Sequence, residues 1–142
     1  MSARGLRNCN PGNLRHGSQW KGMEVAQLDK DFIQFTEPEW GIRALVVLLL
    51  NYARKFGIHT LHSLVARYAP ASENNSSAYE QALSKALGVH HSERIDWTEP
   101  MVMRTLVKAI VKVENGVNPY PDKVIEEGMR RAGLEMPAKE TT

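Results

Sequence analysis

A helix predicted over residues 38–56 constrains the fold of this chain more than any other segment. Its apolar residues recur at helical spacing, and Pro38 near its start and Gly57 after its end are typical of helix boundaries. Because Val47 and Leu48 on the remaining faces are apolar as well, little of this helix can face water. It is therefore the predicted central helix of the core.

Four further helices are predicted from the same kind of signal, over residues 61–68, 77–87, 100–114 and 122–132. Thr36 and Thr60 precede the first two helices of the chain as candidate N-caps. Residues 14–35 instead combine glycines with alternating apolar residues, a pattern that predicts two or three short strands. About five helices and one small hairpin lobe indicate an α+β domain in which the helices carry the core.

Length and composition favour one domain. The 142 residues, 42% of them hydrophobic, suffice to bury a core without cross-links, so residues 1–142 are predicted to form a single domain with a flexible tail at 136–142. One cysteine excludes an internal disulfide. The net charge of +2, with basic and acidic residues interleaved, gives no reason to expect a nucleic-acid partner.

No segment has the properties of a membrane span or a secretion signal. The longest apolar run covers residues 44–50, far short of the ~20 residues that a span needs. The first seven residues contain no apolar stretch, so no signal peptide is predicted. We expect the protein to be made in the cytoplasm.

The histidines do not indicate a metal site. His90 and His91 are adjacent, two neighbouring histidines cannot easily face one metal, and no regular Cys or His spacing occurs elsewhere. The sequence therefore predicts neither a metal nor a cofactor.

Residues 7–15 form a dense run of amide and guanidinium side chains around a predicted Asn-Pro-Gly turn, in which Gly12 is expected to adopt the positive φ. Asn8, Asn10 and Asn13 offer paired donors and acceptors, and Arg15 offers a planar fork. Such a set suits a ligand rich in hydroxyl or carboxylate groups. It equally suits a surface loop that holds itself by local hydrogen bonds.

Glu114 is the most informative acidic residue. It falls at the C-terminal end of an apolar helix, next to Val113 and four residues after Ile110. The negative end of the helix dipole and partial burial both favour the protonated carboxyl group, the form that a general acid requires. The alternative is an ordinary exposed glutamate at a helix end.

A resemblance extends this reading. The segment Ala-Ile-x-x-x-Glu-Asn-Gly at residues 109–116 resembles the catalytic helix of lysozyme-like peptidoglycan hydrolases. Residues 10–35 resemble a hairpin of bacterial glucosaminidases and lytic transglycosylases, and residues 38–45 and 68–79 continue the likeness. Nearly the whole chain also resembles phage and prophage proteins that open with Arg-Asn-x-Asn-Pro-Gly-Asn and are described as structural or lytic components.

The resemblance implies a lysozyme-like fold with the β-lobe before the catalytic helix instead of after it, for which we hypothesise a circular permutation. It implies a muramidase, glucosaminidase or lytic transglycosylase in which Glu114 acts as general acid and then as base. A second carboxylate would come from Glu73 or Glu39, although helix capping and a first-turn position also explain these two. The expected substrate-binding residues are Asn8, Asn10, Asn13, Arg15, Trp20, Arg43, Tyr68, Asn74 and Tyr79.

Two other functions compete with this one. The chain could be a virion structural or glycan-binding protein that keeps the cleft without the activity, or a helical nucleic-acid adaptor, which its balanced charge disfavours. For the cell-wall enzyme and for the virion protein, the expected partners are peptidoglycan glycan strands and other virion proteins. A monomer is expected to act at the cell wall, either after release from the cell or carried in a virion.

Overall fold

The described residues of the computed structural model, 3–70 and 75–138, form six helices. In chain order these are α1 (Arg4–Arg7), α2 (Pro38–Phe56), α3 (Leu61–Tyr68), α4 (Ser76–Leu87), α5 (Pro100–Asn115) and α6 (Asp122–Arg131). The helices predicted from apolar spacing are confirmed as α2 to α6. The short helix α1 was not predicted.

Helix α2 is the centre of the core. It packs most extensively against α6 and also contacts α5, while α4 packs against α5 and α3. The close approach of α6 depends on Gly128, where a Cβ atom would lie only 2.5 Å from Ile42 Cγ2. Trp97, in the loop before α5, is fully buried, and its indole N–H donates to Leu49 O at 2.9 Å.

The helix boundaries follow the sequence signals with one exception. Thr60 caps α3 by accepting a hydrogen bond from Ser63 N, and left-handed Gly57 and Gly88 follow α2 and α4. The prediction that Thr36 caps α2 is wrong, because the N-cap is Glu37 and its side chain makes no capping bond.

The predicted hairpin lobe is contradicted. Within the described residues, 14–35 contain no strand, only two isolated antiparallel bridges, Arg15 with Phe32 and Met23 with Phe35. The fold is therefore all-α over the part of the chain that the structure describes. The α+β class and the lysozyme-like domain with an N-terminal β-lobe are wrong, and the circular permutation inferred from the lobe's position loses its basis.

Side chains explain why residues 14–35 do not pair as strands. Asp29 Oδ1 accepts from the backbone N–H groups of Asp31 and Phe32. The Gln27 side chain bonds to the backbone of Gln34, its Oε1 accepting from Gln34 N and its Nε2 donating to Gln34 O, both at 2.8 Å, and Gln34 Oε1 accepts from Leu28 N at 2.6 Å. Backbone N–H groups that donate to side chains are not available for a strand ladder. The segment is an irregular loop held by amides and one carboxylate.

A close contact seats the Asn-rich stretch on α2. A Cβ atom on Gly41 would lie 1.9 Å from Cys9 O and 3.1 Å from Pro11 Cδ, so only glycine allows the loop backbone to rest on the helix here. The N-terminal loop is thereby fixed against the core, beside the ends of α3 and α5.

Candidate functional site

The Asn-Pro-Gly turn is present, but its left-handed residue is not the one expected. Asn10 O accepts from Asn13 N at 2.9 Å, which closes the turn, and Asn13 has a φ of 52°. Gly12 is not among the residues with positive φ. Asparagine tolerates this conformation better than other residues with a Cβ atom. The turn therefore fixes the direction of the Asn13 side chain.

Asn10 holds the turn together from inside the protein. It has no exposed surface, its Nδ2 donates to Leu14 O and Ile33 O at 2.9 Å each, and its Oδ1 accepts from Leu14 N at 3.0 Å. Every one of these bonds is made to the protein's own backbone. Asn10, predicted to bind substrate, is thus placed as an internal support of the loop.

Asn8 also bonds within the protein. Its Nδ2 donates to Asp29 Oδ2 at 2.9 Å, and its Oδ1 accepts from Gln34 Nε2 at 3.2 Å. Arg4 lies on the other side of Asp29, and hydrogen bonds from this guanidinium and from Asn8 hold the pKa of Asp29 far below its usual range. This charged cluster fastens residues 24–34 to the N-terminal segment.

Two helix ends hold the turn from the opposite side. Tyr68, the last residue of α3, donates through its hydroxyl to Gly12 O. Asn115, the last residue of α5, donates from Nδ2 to Pro11 O at 2.7 Å and to Val111 O at 2.9 Å. Gly5 of α1 permits this packing, since a Cβ atom there would lie 2.6 Å from Asn115 Oδ1.

Glu114 meets the turn directly. Asn13 Nδ2 donates to Glu114 Oε1 at 2.9 Å, although the two residues are 101 positions apart in the sequence. Tyr79, buried on α4, donates from its hydroxyl to Glu114 Oε2 at 2.8 Å. Each carboxylate oxygen is therefore oriented by one neutral donor, and three separate elements fix the position of the acid.

The Glu114 side chain lies between two cavities. One, of about 460 Å³, is bounded by the Asn-rich turn, the aromatic side chains of Trp20, Tyr52 and Tyr68, and two arginines, Arg15 and Arg67. The other, of about 350 Å³, is bounded by the start of α4 and the end of α5, and includes Tyr79. Glu114 is the one acidic side chain among the described residues that line these cavities.

The remaining predicted site residues lie elsewhere. Glu39, in the first turn of α2, does not border either cavity, and its backbone carbonyl lies against Gly128. Arg43 faces α6, where its Nε donates to Arg131 O at 3.3 Å. Glu73 and Asn74 lie outside the described residues. Of the three candidate carboxylates, the described residues bring only Glu114 to the polar turn.

Sequence reasoning missed one cationic side chain at the larger cavity. Arg67 precedes Tyr68 on the exposed face of α3, and its guanidinium carbon lies 4.0 Å from the centre of the Phe56 ring and 5.4 Å from that of Tyr52. The adjacent Arg-Tyr pair at a helix end was a usable signal. An exposed arginine on a short helix has many ordinary explanations, however.

Half-buried Tyr68 and buried Tyr79 make the stability of this site sensitive to alkaline pH. Burial raises the pKa of both Tyr68 and Tyr79, and the Glu114 charge adds to the effect. Above pH ~10 the unfolded chain loses phenolic protons that the folded chain retains, so stability present below pH 10 is lost as the pH rises. We expect each of these tyrosines to lower the free energy of unfolding by about 1.4 kcal/mol per pH unit in this range.

Urea unfolding at pH 9, 10 and 11 tests this expectation. Lysines and other groups titrate in the same range, so the informative quantity is the difference between the parent and Tyr79→Phe. The free energy of unfolding of the variant should fall less steeply with pH than that of the parent, by about 1.4 kcal/mol per pH unit. Equal slopes for the two proteins would contradict the assigned burial of the Tyr79 hydroxyl.

No helix in the described ranges is both long and apolar enough to cross a membrane. No protein-family profile matches the sequence. Protein P5 of Pseudoalteromonas phage PM2 is 37% identical over 132 residues, which cover 89% of this chain and 80% of P5. At this identity and coverage, the chain belongs to the family of phage protein P5.

Proposed function

We propose that this P5-family phage protein binds glycan strands of the bacterial cell wall in the cavity beside Glu114. The observation that carries the proposal is the Asn13–Glu114 hydrogen bond, which joins the polar turn and the acidic helix end in one aromatic-lined cavity. Family membership supports a phage role, and carriage in the virion beside other virion proteins fits a protein that meets the cell wall.

The lining of the cavity suits a glycan with peptide stems. Trp20 and Tyr68 offer flat faces against which sugar rings can stack. Arg15 and Arg67 offer planar forks that match the carboxylates of peptide stems. Arg43, one of the predicted substrate-binding residues, faces α6 instead and does not line this cavity.

Cosedimentation with purified insoluble peptidoglycan tests the proposal. We expect the parent to deplete from solution with peptidoglycan and not with cellulose, and Arg67→Ala to weaken binding about 10-fold, because one charge-assisted contact is lost. Arg54→Ala is the matched control, since Arg54 is an exposed arginine in the last turn of α2 that does not line the cavity. Absence of parent binding, or equal effects of the two variants, would refute this function.

A second candidate function is cleavage of the same strands, and the position of the Glu114 side chain favours it. This side chain borders both cavities and is fixed by two neutral donors, so its carboxyl group is held where it can meet a glycosidic oxygen. Glu114 is the one acidic side chain among the described lining residues, and Glu73, the candidate second carboxylate, lies outside the described residues, so both hydrolysis and lytic transglycosylation fit. By analogy with lytic transglycosylases, the sugar's own hydroxyl would replace the water activated by a second carboxylate.

A further inference from the structure

Two histidines and a glutamate converge on the side of the bundle formed by α3, α4 and the loop after α4. His62 lies in the first turn of α3, Glu80 in α4 and His91 in the loop. His62 Nδ1 lies 3.0 Å and His91 Nδ1 lies 3.4 Å from Glu80 Oε1. One ligand atom from each residue can be chosen such that all three lie within 4.8 Å of one another.

These distances match the spacing of ligands around a tetrahedral metal. Zinc binds imidazole nitrogen and carboxylate oxygen at about 2.0 to 2.2 Å, which places neighbouring ligand atoms about 3.3 Å apart. The two nitrogen–oxygen distances lie on either side of that value. A metal could therefore bind with small side-chain rotations and without a change in the backbone.

The backbone already holds the three residues together. His62 N donates to His91 O at 3.0 Å, which joins the start of α3 to the loop. Nearby, Ile95 N donates to His59 O at 2.7 Å and fixes the far end of the same loop. A site whose ligands are placed in advance loses little conformational entropy when the metal binds.

The neighbouring histidine is directed elsewhere. His90 Nδ1 lies 2.7 Å from Ser92 Oγ, and its ring packs against that of His91 with centroids 4.2 Å apart. His90 can thus support the His91 ring without contributing a ligand. The partner of His91 is instead His62, from a different element, with ring centroids 5.8 Å apart.

We propose that His62, Glu80 and His91 bind one Zn²⁺ ion, with water completing the coordination. Two imidazoles and one carboxylate form a set that zinc accepts and that Mg²⁺ and Ca²⁺, which prefer oxygen ligands, do not. The ion links α3, α4 and the following loop. Because Glu80 follows Tyr79, the donor to Glu114, the ion also stabilises the helix that orients the acid.

Isothermal titration of the full chain with zinc chloride, after treatment with a chelator, tests the site. We expect one Zn²⁺ per chain, at least 10-fold weaker binding in His62→Ala and in His91→Ala, and no saturable binding of Mg²⁺. His59→Ala is the matched control, because this histidine lies three residues before His62 and outside the cluster. It should bind zinc as the parent does.

Thermal unfolding provides a second readout. Zinc should raise the melting temperature of the parent and of His59→Ala, and should leave that of His62→Ala unchanged. His62 and His91 are both exposed, so His62→Ala and His91→Ala should fold in the absence of metal. Lack of one-to-one zinc binding, or unchanged affinity in both cluster variants, would overturn the proposal. Peptidoglycan binding is measured in a separate experiment, so failure of the zinc proposal and failure of the glycan-binding proposal can be distinguished.

Discussion

Asn10→Asp is expected to destabilise the protein by about 3 to 5 kcal/mol, the cost of leaving a buried charge uncompensated. The substitution keeps the shape of the side chain but replaces the Nδ2 donor, which lies 2.9 Å from both Leu14 O and Ile33 O, with an oxygen. Asn10 has no exposed surface, so water cannot relieve the repulsion between this oxygen and two carbonyl groups. Urea unfolding at pH 7 measures the loss.

Asn75→Asp provides the control for the same chemical change. Asn75 is exposed and caps α4 by accepting from Ala78 N, a role in which aspartate is as good as asparagine. This variant should be at least as stable as the parent. At lower pH the Asn10→Asp protein should recover part of its stability relative to the parent, because protonation removes the buried charge. A parent-like urea midpoint for Asn10→Asp would disprove the internal role of Asn10.

The helices were predictable because their signals are local. Helix α2 combines apolar spacing, Pro38 at its first position and Gly57 after its end, and each of these acts within a few residues. Helix α5 combines Pro100 with Gly116 in the same way. Helix α1 has four residues and no repeating apolar face, so periodicity could not identify it.

The strand prediction failed where side chains compete with the backbone for hydrogen bonds. Alternation in residues 14–35 resembles that of a hairpin, yet the side chains of Gln27, Gln34 and Asp29 accept from backbone N–H groups that a ladder would use. The strand pairing in this described segment is limited to two isolated bridges. Alternation alone could not distinguish these outcomes, since it reports which residues are apolar and not where the amides bond.

The candidate site depended on tertiary contacts that only the fold could provide. The sequence singled out the Asn-rich turn and Glu114 separately, and the 2.9 Å bond between Asn13 and Glu114 joins them across 101 positions. Tyr79 is among the predicted substrate-binding residues, whereas in the structure its hydroxyl donates to Glu114. His62 and His91 likewise have no regular spacing, so their convergence on Glu80 was out of reach of motif analysis.

If Glu114 is the general acid of a glycan-cleaving enzyme, Glu114→Gln should reduce cleavage of peptidoglycan by about 10²- to 10⁴-fold, the usual contribution of such a group. Glutamine has the same size and retains an oxygen that can accept from Asn13 Nδ2, as Glu114 Oε1 does at 2.9 Å. Its amide can donate to the Tyr79 hydroxyl, so the fold and the cavity should persist. Zymography on purified peptidoglycan, together with cosedimentation, measures cleavage and binding in the same protein.

Glu135→Gln serves as the control, because Glu135 is exposed and distant in sequence from the cavity lining. Clearing by the parent and the control, with binding but no clearing by Glu114→Gln, would establish the proton-donating role. Clearing that persists in Glu114→Gln would remove this residue from the mechanism. Binding without clearing by the parent would leave recognition of the glycan as the function, and the bonds from Asn13 and Tyr79 would then serve to hold a carboxylate that contacts the ligand.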